Sequence, residues 1–81
     1  MIDFERRAVG TVIRQLRMER RLSQEVLSGL AGIARSHLAM IEGGSKQPNF
    51  ETVWRLANAL NMRPHELVLR IEEKTREMNG R

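Results

Sequence analysis

The chain has no cysteine and no tyrosine, and its aromatic rings are two phenylalanines and one tryptophan among 81 residues. Without thiolates there is neither a disulfide framework nor a sulfur-ligated zinc site, and two isolated histidines supply no ligand cluster, so the fold must stand on apolar packing. No run of 18 apolar residues occurs, and the opening "MIDFERRAVG" carries charges where a secretory leader needs an unbroken apolar stretch. These absences predict one soluble, cytoplasmic domain. A chain of this length buries only roughly 60% of the surface it exposes when unfolded, so its stability margin is thin and self-association would widen it. Also missing are a His-carboxylate constellation, a glycine-rich phosphate loop and metal-ligand spacing, which predicts that the protein is not an enzyme and holds no cofactor.

Positive charge is what the chain has in excess. Fourteen Lys and Arg stand against ten Asp and Glu, giving a net charge of +4 and an isoelectric point near 11.0. That balance suits a polyanionic partner through long-range attraction, although many basic proteins of this size bind no nucleic acid.

Apolar residues recur at spacings of three and four, never in period-two alternation, so the expected class is all-α, with five helices. Phe4, Val9, Val12, Ile13 and Leu16 form the stripe of a first helix from about residue 5 to 20, which "RRLSQE" interrupts. Ser23 is a good N-cap, and Glu25 adds favourable charge at the start of a second helix beginning near Gln24. Val26, Leu27 and Leu30 are its expected apolar face, and Gly32 suits the left-handed position that ends it. A third short helix runs from Ala34 or Arg35 to Glu42 and stops at Gly43 and Gly44. Asn49 caps a fourth, with Phe50, Val53, Trp54, Leu56, Ala57 and Leu60 as its stripe and Asn61 as its terminal turn residue. Pro64 opens a fifth, on which Leu67, Val68, Ile71, Thr75 and Met78 follow one another.

Two helices of about eight residues, joined by a short turn that begins with glycine, cannot each bury a face alone and must cross steeply, as in a helix-turn-helix. Ser28 is the small residue at the crossing, and Ile33, Leu38 and Ile41 point inward. At about 100° per residue, Ser36 and Gly43 then point outward, with Ala39 and Met40 on either side of that direction. Such a bare face lets the helix backbone approach base edges closely, and Arg35 at its start can reach a guanine or a phosphate.

Residues 9–68 resemble the phage repressor and Cro-like helix-turn-helix family, often called the Xre family. The matching pieces are "LR" at 16–17, "LSQEVL" at 22–27, "LAGI" at 30–33, "IEGG" at 41–44, "P" at 48 and "ETVWRLANAL" at 51–60. The resemblance implies a compact five-helix domain whose third helix, about 35–42, lies in the major groove of double-stranded DNA. It implies that Gln24, otherwise a solvated first-turn residue, contacts the DNA backbone, and that Arg35, Ser36, Met40 and Gly43 face bases or sugars. Lys46, Asn49 and the N–H groups that open the fourth helix would grip phosphate. His37, at the flank, either packs partly or touches a phosphate. Arg17 and Glu42 are expected to form a partly buried salt bridge that clamps the first and third helices.

Four positions depart from the family pattern. Ala34 replaces the usual Ser or Thr cap of the third helix, Arg21 stands where glycine commonly ends the first, Gly43 deletes a side chain that could contact a base, and Met40 is apolar where polar residues are common. Met40 either packs against a thymine methyl group or touches a sugar or a partner protein. The implied function is a DNA-binding regulator acting as a homodimer on a two-fold symmetric operator, such as a phage-type repressor, a restriction-modification controller or an antitoxin. The alternative is a protein-interaction module that docks a toxin or co-regulator. Residues 1–68 form the expected DNA-binding domain. Residues 69–81 extend the fifth helix as a candidate dimerisation element, with Leu67, Val68, Ile71 and Met78 at the interface, or else as an amphipathic tail that frays.

Overall fold

Helix starts follow the capping chemistry closely. The computed structural model describes residues 3–80 and places α1 at Arg6–Glu19, α2 at Gln24–Ala31, α3 at Arg35–Glu42, α4 at Phe50–Ala59 and α5 at Pro64–Asn79. The Ser23 hydroxyl accepts from the Val26 N–H at 3.0 Å, and Asn49 Oδ1 accepts from the Thr52 N–H at 2.8 Å. Glu5 caps α1 by accepting from the Arg7 N–H, and the Arg7 side chain bonded to it draws its carboxyl pKa down to about 2. At α5 the bond runs the other way, with the Arg63 N–H donating to Glu66. Only α3 starts without such a bond, because Ala34 has no side-chain acceptor.

The first four helices end alike. Arg21, Gly32, Gly44 and Asn61 adopt the left-handed conformation, and the N–H of the next residue reaches back five positions. Leu22 donates to Arg17, Ile33 to Ser28, Ser45 to Met40 and Met62 to Ala57. These are Schellman ends, and three of them turn an apolar residue (Leu22, Ile33, Met62) back against the core. Arg21 and Asn61 do this without glycine's freedom.

The core is one cluster to which all five helices contribute, with Ile13, Leu16, Leu27, Leu38, Ile41, Leu56, Leu60 and Leu67 the largest fully enclosed side chains. Within it α1 packs on α3 and α5, α2 on α3 and α4, and α4 on α5. At the α1–α3 contact the two backbones come close. Gly10 is buried there, and a Cβ at that position would run into the Ile41 carbonyl oxygen and lie 2.8 Å from that of Glu42.

Several apolar residues expected inside are outside. Phe4 precedes α1 and is exposed, as are Val26, Leu30, Phe50 and Trp54. On α2 the buried face is Leu27, Ser28 and Ala31, and the helical step sets Val26 and Leu30 on its flank. Conversely, the expected surplus on α5 is largely absent. Leu67 is fully enclosed, Ile71 is buried and Met78 packs against the core, so of the four residues assigned to a dimer surface only Val68 stands exposed. The second half of α5 is helical and packed. It continues to Asn79, buries Thr75, and is tied to the chain start by the Asn79 amide, which donates to the Asp3 carbonyl at 2.9 Å.

Candidate nucleic-acid interface

The seat of α3 is set by Leu38 and Ile41, both fully buried, and its position along α1 by the Gly10 contact. Its other side is open. Arg35, Ser36, Ala39, Met40 and Gly43 are all exposed and His37 is half-buried, so the structure gathers these sequence-selected residues on one helix. Gly43 has an ordinary right-handed backbone, and a Cβ there would meet nothing closer than the Ala39 carbonyl at 3.3 Å. Its bareness is therefore a property of this surface, not a demand of the turn.

A charged clamp holds the C-terminal end of α3. Arg17 Nε and Nη2 donate to the two carboxylate oxygens of Glu42 at 2.8 and 3.0 Å, and Arg17 Nη1 donates to the Leu22 carbonyl at 2.8 Å. The two side chains are only 13% and 3% exposed. The hydrogen bonds to Glu42 raise the Arg17 pKa further above its already high value, so the guanidinium stays charged throughout the working pH range. Gln24 joins the same group, its Nε2 donating to Glu42 Oε1 at 3.1 Å. The residue expected to meet the DNA backbone is thus oriented from behind by the residue expected only to clamp.

The loop after α3 is folded back onto that helix. The Met40 carbonyl accepts from the N–H groups of Ser45 and Lys46 and from the Ser45 hydroxyl, and Gln47 Nε2 donates to the Arg6 carbonyl at 2.8 Å. Lys46 is exposed at the end of α3, and Asn49 is exposed at the start of α4. Asn49 Oδ1 is occupied by its cap, and no hydrogen bond engages its Nδ2 among the described residues.

Two contributors escaped the sequence analysis. Gly10 gave no periodic signal, although a lone glycine inside a helical pattern hints at close packing. Arg14, one of many arginines, lines a hollow with Gln24, Ala39, Glu42 and Gly43. Among the described residues no group of His, Cys, Asp or Glu is arranged to hold a metal ion, and no helix is long and apolar enough to cross a membrane.

The sequence and the fold are similar to those of known proteins. The helix-turn-helix family model matches residues 13–67. The uncharacterized HTH-type transcriptional regulator y4dJ of Sinorhizobium fredii is 34% identical over 68 residues, which is 84% of this chain and 88% of that protein. The restriction-modification controller protein C.AhdI from Aeromonas hydrophila superposes with a TM-score of 0.73 at 35% identity, over 76% of this chain and 94% of its own. The clp gene regulator ClgR from Corynebacterium glutamicum shares the fold with a TM-score of 0.82 at 18% identity, over 90% of this chain and 78% of its own. The chain belongs to the helix-turn-helix family of DNA-binding transcription regulators, of the Xre and Cro/repressor type.

Proposed function

We propose that the protein is a sequence-specific double-stranded DNA-binding regulator that acts as a homodimer on a two-fold symmetric operator, with α3 in the major groove. The observation that carries this proposal is the outward face of α3, bare at Ser36, Ala39 and Gly43 and flanked by the exposed cations Arg35 and Lys46. Small side chains admit the backbone to the base edges, and the cations and the α4 N-terminus supply phosphate contacts that fix its register. Titration against the DNA upstream of its own coding sequence, at several salt concentrations, tests this. We expect a steep salt slope and an affinity at least about 10³-fold above that for random duplex. Equal affinity for both duplexes would sink the operator claim, and a flat titration with capture of a partner protein would favour an interaction module instead.

Met40 is 45% exposed on that face, and we assign it to the C5-methyl of a thymine. Replacing it with alanine or glutamine and repeating an operator selection should relax the preference at one position in each half-site. Preference unchanged at every position overturns the assignment.

The second copy is assigned to the groove between α4 and α5. Exposed Phe50, Trp54, Val68 and Leu69 line it together with Val53 and Pro64, and His65 and Glu72 bring charge-bearing or titratable side chains to its edge. An apolar groove of about 600 Å³ is costly to leave in water, and a two-fold pairing covers both copies at once. To read a two-fold operator, that pairing has to hold the two α3 helices about one DNA turn apart. Sedimentation of the wild type should give a dimer, and Leu69→Glu should give a monomer with unchanged helix content and weakened operator binding. A monomeric wild type at all concentrations overturns this part of the proposal and leaves the DNA-binding part to the titration.

A further inference from the structure

Gly10, Arg14 and Arg17 lie at positions i, i+4 and i+7 of α1, on one stripe of that helix. The stripe faces the end of α3. Gly10 abuts the Ile41 and Glu42 carbonyls and Arg17 grips the Glu42 carboxylate. Arg14, between them, borders the hollow at the junction of α1, α2 and α3 that Gln24, Ala39, Glu42 and Gly43 complete. It is exposed, and no hydrogen bond or ion pair engages it among the described residues. The one carboxylate nearby is already spoken for, since both oxygens of Glu42 accept from Arg17 and one accepts also from Gln24. What remains at the hollow is a full positive charge, with an amide whose second Nε2 proton is free. Ala39 and Gly43 bring no side-chain acceptor to satisfy the guanidinium.

We infer that Arg14 and Gln24 together form a phosphate clamp at the α1–α2 flank of α3, taking the non-bridging oxygens of one DNA backbone phosphate. This inference rests on the DNA-binding function proposed above and adds to it a residue outside the helix-turn-helix. A guanidinium presents parallel N–H donors that match two phosphate oxygens, and the Gln24 amide supplies a further donor held in place by Glu42. A phosphate contact carries no sequence information, so Arg14 contributes to affinity and register but not to base preference. Neutralising Glu42 internally through Arg17 is what lets an anionic backbone approach a site that contains a carboxylate.

Arg14→Gln and Arg14→Lys, titrated on operator and on random duplex at several salt concentrations, test the clamp. Arg14→Gln should weaken both duplexes by the same factor, lower the steepness of the salt slope by about one, and leave the melting temperature and the selected operator unchanged. Arg14→Lys should restore the slope while recovering only part of the affinity, because one ammonium replaces a forked donor. An unchanged slope and affinity in Arg14→Gln overturns the clamp while leaving the regulator intact. A changed preference at one operator position makes Arg14 a base reader and also overturns it, as does a lowered melting temperature that accounts for the loss. Wild-type protein without DNA affinity overturns the regulator and the clamp together.

Discussion

Replacing Gly10 with alanine should destabilise the protein by about 3 kcal/mol or more, against the sign of helix propensity. In an open helix position the same change is favourable by about 1 kcal/mol, since alanine loses less backbone entropy. At Gly10 the added methyl meets the carbonyl oxygens of Ile41 and Glu42, and these are backbone atoms that no rotamer change can move. Relief requires α1 and α3 to separate, which loosens the packing of Ile13, Leu38 and Ile41 together. For a domain of this size each kcal/mol is worth about 4–8 °C in melting temperature, so thermal unfolding should begin more than ten degrees earlier, on the order of 12–24 °C by the same scaling. Gly29→Ala is the internal control. Gly29 also lies within a helix, α2, but a Cβ there meets nothing within 4 Å, and that variant should gain roughly 0.5–1 kcal/mol. If both substitutions move the melting temperature in the same direction, the close approach of α1 and α3 is wrong.

The second large effect belongs to the clamp. Glu42→Ala leaves the Arg17 guanidinium, 13% exposed, with only the Leu22 carbonyl as partner, and breaking a buried pair from one side costs about 3–5 kcal/mol. Against a total stability of about 4–12 kcal/mol for a chain of this length, that is enough to leave the variant partly unfolded at physiological temperature. Replacing both members, as in Arg17→Met with Glu42→Leu, should recover most of the loss, because no charge is then stranded. DNA affinity should not recover with it. The double variant has no acceptor for Gln24 Nε2, so the amide is no longer held at the surface where α1, α2 and α3 meet. Circular dichroism melts and DNA titrations of the two variants separate these contributions. A single variant that melts with the wild type would show the pair to be solvated and of little consequence.

How much of this is legible in the sequence depends on whether the signal is local. Ser23, Asn49, Gly32 and Pro64 act through their own backbone neighbours, and the helix ends they mark agree with the structure to within a residue or two. Arg21 stands where glycine is usual in the family, and it is left-handed. The Arg17–Glu42 bridge came from the resemblance and has the expected partners. Failures arose where the answer depends on a third element. Phe50 and Trp54 fit the α4 stripe, yet they sit at its edge beyond the reach of the core, ring against ring with centroids 6.4 Å apart. Leu67 and Ile71 looked surplus because sequence alone cannot count how much of α5 the neighbouring helices cover. Gly10 and Arg14 give no signal in the sequence, for different reasons: glycine contributes nothing to an apolar pattern, and an arginine in a basic chain stands out from no background.

The end of α1 has one more partner. Arg20 Nε donates to the Leu60 carbonyl at 2.8 Å, joining the Schellman end of α1 to that of α4 across forty residues of chain. The intervening segment contains α2, α3 and α4 entire, so it is a lariat tied at its neck. Loop-closure entropy grows only slowly with length, and once the neck is made, the helices inside it share a boundary as well as a core. The bond couples the end of α1 to the end of α4, and α3, held between them by Gly10 and Arg17 of α1, is supported as part of the whole core and not as an independent short helix. Eight residues would be too few to stay helical alone; inside a closed loop they do not have to.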